Sequence, residues 1–88
     1  MVEVSELEAR IRSAIPEVET LEIRDLTGTR DHFEATIVSA SFRGKSRIAQ
    51  HQMVYRALGE LMAGAVHALA LQTLTPEAWA EANEENDV

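Results

Sequence analysis

The stretch VHALALQTL, residues 66–74, constrains the fold most, because it alternates like a β-strand yet is largely apolar on both faces. One face carries His67 and two leucines, and the other carries valine and alanines. Strands of this kind are typical of sheet interiors, so we predict a central strand, or one covered on both sides. A histidine among these residues is unusual and makes His67 a candidate functional residue.

Hydrophobic periodicity predicts a helix and two strands before this stretch. SELEARIRSAI has a helical apolar stripe, with Ser5 and Glu8 as a predicted capping box and an end before Pro16. TLEIRD and HFEATIVS alternate as half-buried strands. The loop between them contains Gly28, so we predict a β-hairpin.

Two further helices complete the predicted pattern. The longer one is expected to begin after an N-cap at Ser46 and to end at Gly64. Thr75 is expected to cap the last helix, with Pro76 at its first position. The resulting α-β-β-α-β-α order predicts a small α+β domain over residues 1–80, with helices on one side of a three-stranded mixed sheet. Residues 81–88 are expected to be a frayed acidic tail.

The charge distribution is uneven. The 88-residue chain has 15 acidic and 8 basic residues and a net charge of −7, which disfavours non-specific binding to nucleic acid. Residues 41–56 nevertheless contain no acid, and they include Arg43, Lys45 and Arg47 at the start of the longer helix. This segment is either a phosphate-binding surface or a solvated basic edge, and the acidic total favours the edge.

Catalytic and self-contained metal motifs are absent from the sequence. There is no cysteine, and the GKS triplet lacks the upstream glycine of a phosphate-binding loop. The three histidines do not have the spacing of a zinc site, although a single imidazole can still serve as one ligand in a shared site. We therefore expect a non-enzymatic protein. Without a signal-like N-terminus or a membrane-spanning stretch, it is expected to be cytoplasmic and not associated with a membrane.

Three stretches together resemble the BolA family: DHFEATIV, SASFRGKSRIAQHQMVYRALGELM and VHALALQTLTPEAW. The resemblance runs over roughly residues 5–80, and its signature combines F-x-G-K-S-R, a downstream histidine, V-Y, V-H-A-L and T-P-E-x-W. It implies a BolA-like fold akin to type II KH domains, with the element order predicted above from periodicity.

The resemblance also implies a function. BolA-like proteins form heterodimers with monothiol glutaredoxins and share a bridging [2Fe-2S] cluster, to which glutathione also contributes. The family's ligand histidine corresponds to His67. The family's second ligand lies in the hairpin loop, where this chain has no cysteine and His32 is the only candidate. The isolated protein is expected to hold no cluster, and a homodimer is an alternative state when it is alone.

The KH-like shape implies an alternative function as a DNA- or RNA-binding regulator of transcription, stress or morphology. The residues carried over would be Arg43, Lys45, Ser46 and Arg47, at the turn before the longer helix. The same surface could instead receive the glutaredoxin, because positive charge suits an anionic, thiolate-rich cluster. A third alternative is a protein-interaction module that uses no metal.

Overall fold

The computed structural model describes residues 3–26, 28, 32–62 and 68–85. Its helices and strands follow the predicted order: α1 (Val4–Ala14), β1 (Val18–Asp25), β2 (His32–Ser39), α2 (Arg47–Leu58), β3 (Ala68–Leu74) and α3 (Pro76–Glu85). Short 3₁₀ turns follow β2 (Ala40–Phe42) and α2 (Gly59–Met62). Within these residues, no helix combines the length and apolarity needed to cross a bilayer.

The three strands form one mixed sheet in the order β1-β2-β3. β1 pairs with β2 antiparallel, which confirms the predicted hairpin, and β3 pairs with β2 parallel. The prediction that residues 66–74 form a central or doubly covered strand is wrong. β2 is central and β3 is an edge strand, on which Ala70 and Gln72 are exposed. The hairpin occupies one side of β2, so the later strand takes the other side and has no further neighbour strand among the described residues.

The core lies between α1, α2 and one face of the sheet. Its stripe on α1 is the predicted one: Leu7, Ile11 and the C-cap residue Ile15 are at most 2% exposed. Apolar side chains from β2, the first 3₁₀ turn and α2 complete the cluster: Phe33, Ile37, Phe42, Val54, Ala57 and Leu58. Burial of these side chains is the main favourable contribution to folding, at roughly 25 cal/mol per Å² of apolar surface. α3 contacts β2 and β3.

Two predicted N-caps are confirmed and one is wrong. The Ser46 hydroxyl accepts a 3.1 Å hydrogen bond from the Ala49 backbone N–H, and Thr75 accepts one of 3.1 Å from Ala78. Helix α1, however, begins earlier than predicted: Glu3 is its N-cap and makes no side-chain capping hydrogen bond. Ser5 is therefore inside the first turn, and the predicted capping box does not form.

Two C-terminal boundaries also differ from the predicted ones. α2 ends before Gly59, which has a φ of 54° and interrupts the regular helix. The predicted stop at Gly64 is thus too late for the α-helix, and Gly64 itself lies outside the described residues. α3 continues to Glu85, so residues 81–85 are helical instead of part of a tail.

Candidate functional site

The first candidate surface is the end of the sheet at which β2 begins, here called the histidine end. His32 is the first residue of β2, and the parallel register places it opposite Ala68, the first residue of β3. Ala68 directly follows His67 in the sequence. His67 itself lies outside the described residues. The register thus brings one predicted ligand, His32, beside Ala68, which directly follows the other predicted ligand, His67, in the sequence.

The hairpin holds the position of His32 through backbone pairing and a turn. The Leu26 N–H donates a 2.9 Å hydrogen bond to the His32 carbonyl oxygen. Just before the loop, an Asp25 carboxylate oxygen accepts a 3.0 Å hydrogen bond from the Gly28 N–H. Gly28 has a φ of 76°, which glycine adopts readily. These contacts fix the start of β2, where the His32 side chain is half-buried.

The composition of the site bears on whether it could hold a metal cluster. Across the described residues, no group of three or more histidine, cysteine, aspartate or glutamate side chains is arranged to hold a metal ion. The imidazole of His32 offers one nitrogen donor, of the kind that can replace a cysteine at iron. His32 could therefore supply one ligand of a cluster, and no more than that one.

The second candidate surface is the basic turn, defined as residues 43–47. Arg43 forms a bidentate ion pair with Glu77 at the start of α3, and its Nε lies 2.9 Å from Oε1. The hydrogen bond from Arg43 lowers the pKa of the Glu77 carboxyl below its usual value. Planar pairing of this kind occupies the Nε–Nη2 edge of the guanidinium, which could otherwise bind a phosphate. An anionic ligand would have to compete with Glu77 for Arg43.

The other predicted residues of the basic turn differ from Arg43. The Ser46 side chain is the N-cap of α2, so its hydroxyl oxygen already accepts a backbone hydrogen bond. Lys45 and Arg47 are exposed, and neither has a carboxylate partner within the described part of the chain. The structure therefore divides the predicted set: Arg43 and Ser46 stabilise the fold locally, and Lys45 and Arg47 present their charges to solvent.

One residue that organises the basic turn was missed from the sequence. The Gln50 side-chain amide donates hydrogen bonds of 3.2 Å to the Phe42 carbonyl and 3.0 Å to the Lys45 carbonyl. Its oxygen accepts a 2.7 Å hydrogen bond from the Thr73 hydroxyl. Gln50 thus ties the basic turn to β3. No sequence pattern signals this role, because a glutamine on a helix is ordinarily exposed.

Comparison with known proteins gives consistent matches. The family model described as "BolA-like protein" matches residues 3–78. The chain is 38% identical over 88 residues to "BolA-like protein 1" of Homo sapiens, covering 89% of this chain and 64% of that protein. It is 42% identical over 57 residues to the "DNA-binding transcriptional regulator BolA" of Haemophilus influenzae, covering 65% of this chain and 55% of that protein.

Solved structures agree with these sequence matches. A Bol-like protein from Babesia bovis superimposes with a TM-score of 0.83 at 33% identity, covering 94% of this chain and 95% of that chain. The chain spans less than two thirds of the length of the mammalian relatives that it matches, between 62% and 65%. The family model covers most of the chain and the fold agrees, which shows that the protein belongs to the BolA-like family.

Proposed function

We propose that this protein is an adaptor that pairs with a monothiol glutaredoxin and co-ligates a bridging [2Fe-2S] cluster, in the trafficking of such clusters or in iron regulation. His67 would be the principal ligand, and His32 the candidate for the second. Glutathione and the glutaredoxin would supply the remaining thiolates. In this account the protein acts by binding and presenting histidine, and it catalyses no reaction itself.

The observation that carries the proposal is the pairing of His32 with Ala68 across the parallel strands. The first residue of β2 is thereby paired with the residue that directly follows His67 in the sequence. Adjacent strand backbones lie about 4.8 Å apart, so the His32 backbone is close to that of the residue that follows His67.

Histidine ligation would give the cluster two properties that can be measured. Replacement of cysteine by histidine at iron raises the reduction potential of a [2Fe-2S] centre. Because a ligating imidazole nitrogen must be unprotonated, ligation by this chain would weaken as the pH falls. Both properties come from the imidazole side chains, and neither requires a change in the fold.

The test is anaerobic reconstitution with a monothiol glutaredoxin, glutathione and iron, comparing the wild type with His67→Ala, His32→Ala and His51→Ala. His51 is the matched control, because it lies on α2 outside both strands. We expect His67→Ala to abolish or change the visible absorption and circular dichroism of the heterodimer. His32→Ala should have a smaller effect, and His51→Ala none.

An unchanged spectrum for His67→Ala would remove this residue from the site. If His67→Ala and His32→Ala both left the spectrum unchanged while the heterodimer still formed, the shared-cluster proposal would fail. In that case the cluster would be held by the glutaredoxin and glutathione, and this protein would be an interaction module that contributes no metal ligand.

A second candidate function, nucleic-acid binding by the basic turn, is favoured by Lys45 and Arg47, which are exposed and have no carboxylate partner among the described residues. A relative in Haemophilus influenzae is named as a DNA-binding regulator. The test is a salt titration of DNA affinity. Each lost phosphate contact should lower the salt-dependence slope by about one. Lys45→Ala and Arg47→Ala should therefore each flatten the slope, whereas Gln52→Ala on α2 serves as an uncharged control.

A further inference from the structure

The two edges of the sheet are protected very differently. The β1 edge carries exposed charges at Glu19, Glu22 and Arg24, and its register with β2 shifts between Val18 and Thr20. Charges and bulges are the usual means by which proteins prevent an edge strand from pairing with another chain. The β1 edge is therefore protected against pairing with a strand of another chain.

The β3 edge has none of these protections. Its sequence, ALALQTL, contains no charged residue and no proline, and its register with β2 runs without a shift. Within the described residues, β3 pairs with β2 alone. The N–H and C=O groups on its outer side therefore have no partner strand, which is the arrangement that accepts an added strand.

A groove lies beside this edge. It has a volume of about 310 Å³ and is lined by Arg47, His51, Leu71, Gln72, Thr73 and Leu74. One wall is therefore the first turns of α2, and the other is the second half of β3. The combination of strand backbone, leucine side chains and basic groups is suited to an extended segment that alternates apolar and acidic residues.

Charge complementarity indicates the sign of that segment. Arg47 lines the groove, and Lys45 is exposed just before α2; neither is paired with a carboxylate among the described residues. Residues 41–56 contain no acid, although the chain as a whole has a net charge of −7. This surface is therefore locally basic, and it would attract an acidic segment of a partner.

We propose that the β3 edge is a docking site for an extended, acidic segment of a partner protein, which adds to the sheet as a fourth strand. Backbone hydrogen bonds to β3 would hold the segment, and its carboxylates would lie toward Arg47. A nucleic acid suits the groove less well, because among its described lining residues only His51 and Arg47 could stack on a base, and the β3 wall offers leucine, threonine and glutamine side chains.

This site is separate from the histidine end. Thr73 is five residues along β3 from Ala68, a distance of roughly 16 Å at the rise of a strand. Cluster ligation and strand addition could thus occur on the same molecule, and the docking site does not depend on the function proposed above. His67→Ala should leave docking unchanged.

The test uses NMR titration of the ¹⁵N-labelled full chain with a capped peptide of alternating glutamate and valine, about eight residues long. We expect shift changes at residues 71–74 and slower exchange of the outward amides of β3. The same peptide carrying N-methyl groups on alternate residues should not bind, because its pairing edge is blocked. A lysine–valine peptide should bind more weakly.

Matched variants at exposed Gln72 sharpen the test, because neither alters a buried group. Gln72→Glu should weaken peptide binding about fivefold by charge repulsion, and Gln72→Lys should strengthen it about twofold. Circular dichroism should show that both variants fold like the wild type.

Four results would overturn the proposal. These are an absence of shift changes in β3 at about 1 mM peptide, equal binding of the N-methylated peptide, tighter binding of an oligothymidylate in the same groove, or self-association of the chain through β3 that excludes the peptide. The third result would assign the groove to nucleic acid, and the fourth to a second copy of this chain.

Discussion

β2 and β3 lie side by side in parallel register, yet they are buried to different extents. The core-facing residues of β2 are at most 1% exposed: Phe33, Ala35 and Ile37. Their register partners in β3 are only half-buried: Leu69, Leu71 and Thr73. The more apolar sequence belongs to β3, which is the less buried strand. Burial in this sheet is therefore set by the position of a strand, and apolar composition alone does not reveal that position.

The position of each strand follows from its connections. A short loop joins β1 to β2 and forces them to be antiparallel neighbours. The connection through α2 returns the chain in the same direction, so β3 can pair parallel to β2 only on the side left open. β2 thus becomes central although its sequence, HFEATIVS, alternates like that of a strand with one wet face.

The largest expected effect tests this difference in burial directly. Ile37→Ala in β2 removes a fully buried side chain and should lower the free energy of unfolding by about 3 to 4 kcal/mol. Leu71→Ala removes a side chain of the same size from β3, but a half-buried one, and should cost about 1 to 2 kcal/mol. Urea unfolding measures both. Equal losses would show that side chains of the two strands contribute equally to stability despite their different burial.

The next effect concerns the connection that leads to β3. Gly59 has a φ of 54° and a ψ of −127°, a conformation that an L-residue adopts only with strain. Gly59→Ala should therefore destabilise the protein by about 2 kcal/mol in urea unfolding. The nearest atom to an added Cβ is 3.9 Å away, so a clash would not explain the loss.

A chemically synthesised chain with D-alanine at position 59 provides the control. The D-residue favours the mirror-image dihedral angles and should be at least as stable as glycine. A loss of stability as large as that of Gly59→Ala would attribute the effect to the side chain, not to the backbone conformation.

A smaller effect compares the residues at the C-terminal ends of the same two strands. Ser39, fully buried at the end of β2, donates a 2.7 Å hydrogen bond to the Pro16 carbonyl and accepts one from the Ser41 N–H. Ser39→Ala should cost about 1 to 2 kcal/mol, because it leaves buried polar groups with fewer partners. Thr75→Ala, after β3, should cost about 1 kcal/mol through loss of the α3 cap. Thermal unfolding, analysed with the same heat-capacity change for both variants, compares the two losses of stability.

The smallest effect concerns the ion pair between Arg43, just after β2, and Glu77, just after β3. Both side chains are exposed, so the stabilisation should be small and reduced by salt. Hydrogen bonding by Arg43 lowers the pKa of Glu77. The contribution is therefore present above the ordinary carboxyl pKa and is lost as the pH falls through the lowered pKa of the folded state.

The corresponding measurement compares wild type with Glu77→Gln at neutral pH and at about pH 3. The variant should be slightly less stable at neutral pH and equal to the wild type in acid. A difference that persisted at low pH would mean that Glu77 acts through packing instead of charge.

Local sequence signals predicted much of the fold. The bounds of β2 and the caps at Ser46 and Thr75 depend on alternation and on hydroxyl side chains adjacent in sequence, and the structure confirms them. The failures have physical reasons as well. Ser5 satisfies the capping pattern, but α1 extends past it to Glu3. Gly59 and Gly64 are both plausible helix stops, and only the conformation of the chain distinguishes them.

The candidate sites depended more on contacts that no local pattern records. The pairing of Arg43 with Glu77 and the bridge from Gln50 to Thr73 each join residues from separate elements. The edge position of β3 depends on topology and on the order in which the strands pair. The identity of His32 as a candidate came from the family resemblance, and its place opposite Ala68 required the sheet register.

The parallel pairing of β2 with β3 has a consequence for synthesis on the ribosome. The hairpin of β1 and β2 can form soon after it emerges, but β3 is made only after all of α2. Until then the edge of β2 that pairs with β3 has no partner strand, and the α2 residues that share the core with Phe33 and Ile37 are not yet in place. A nascent chain paused between residues 39 and 68 would therefore be the species most in need of a chaperone.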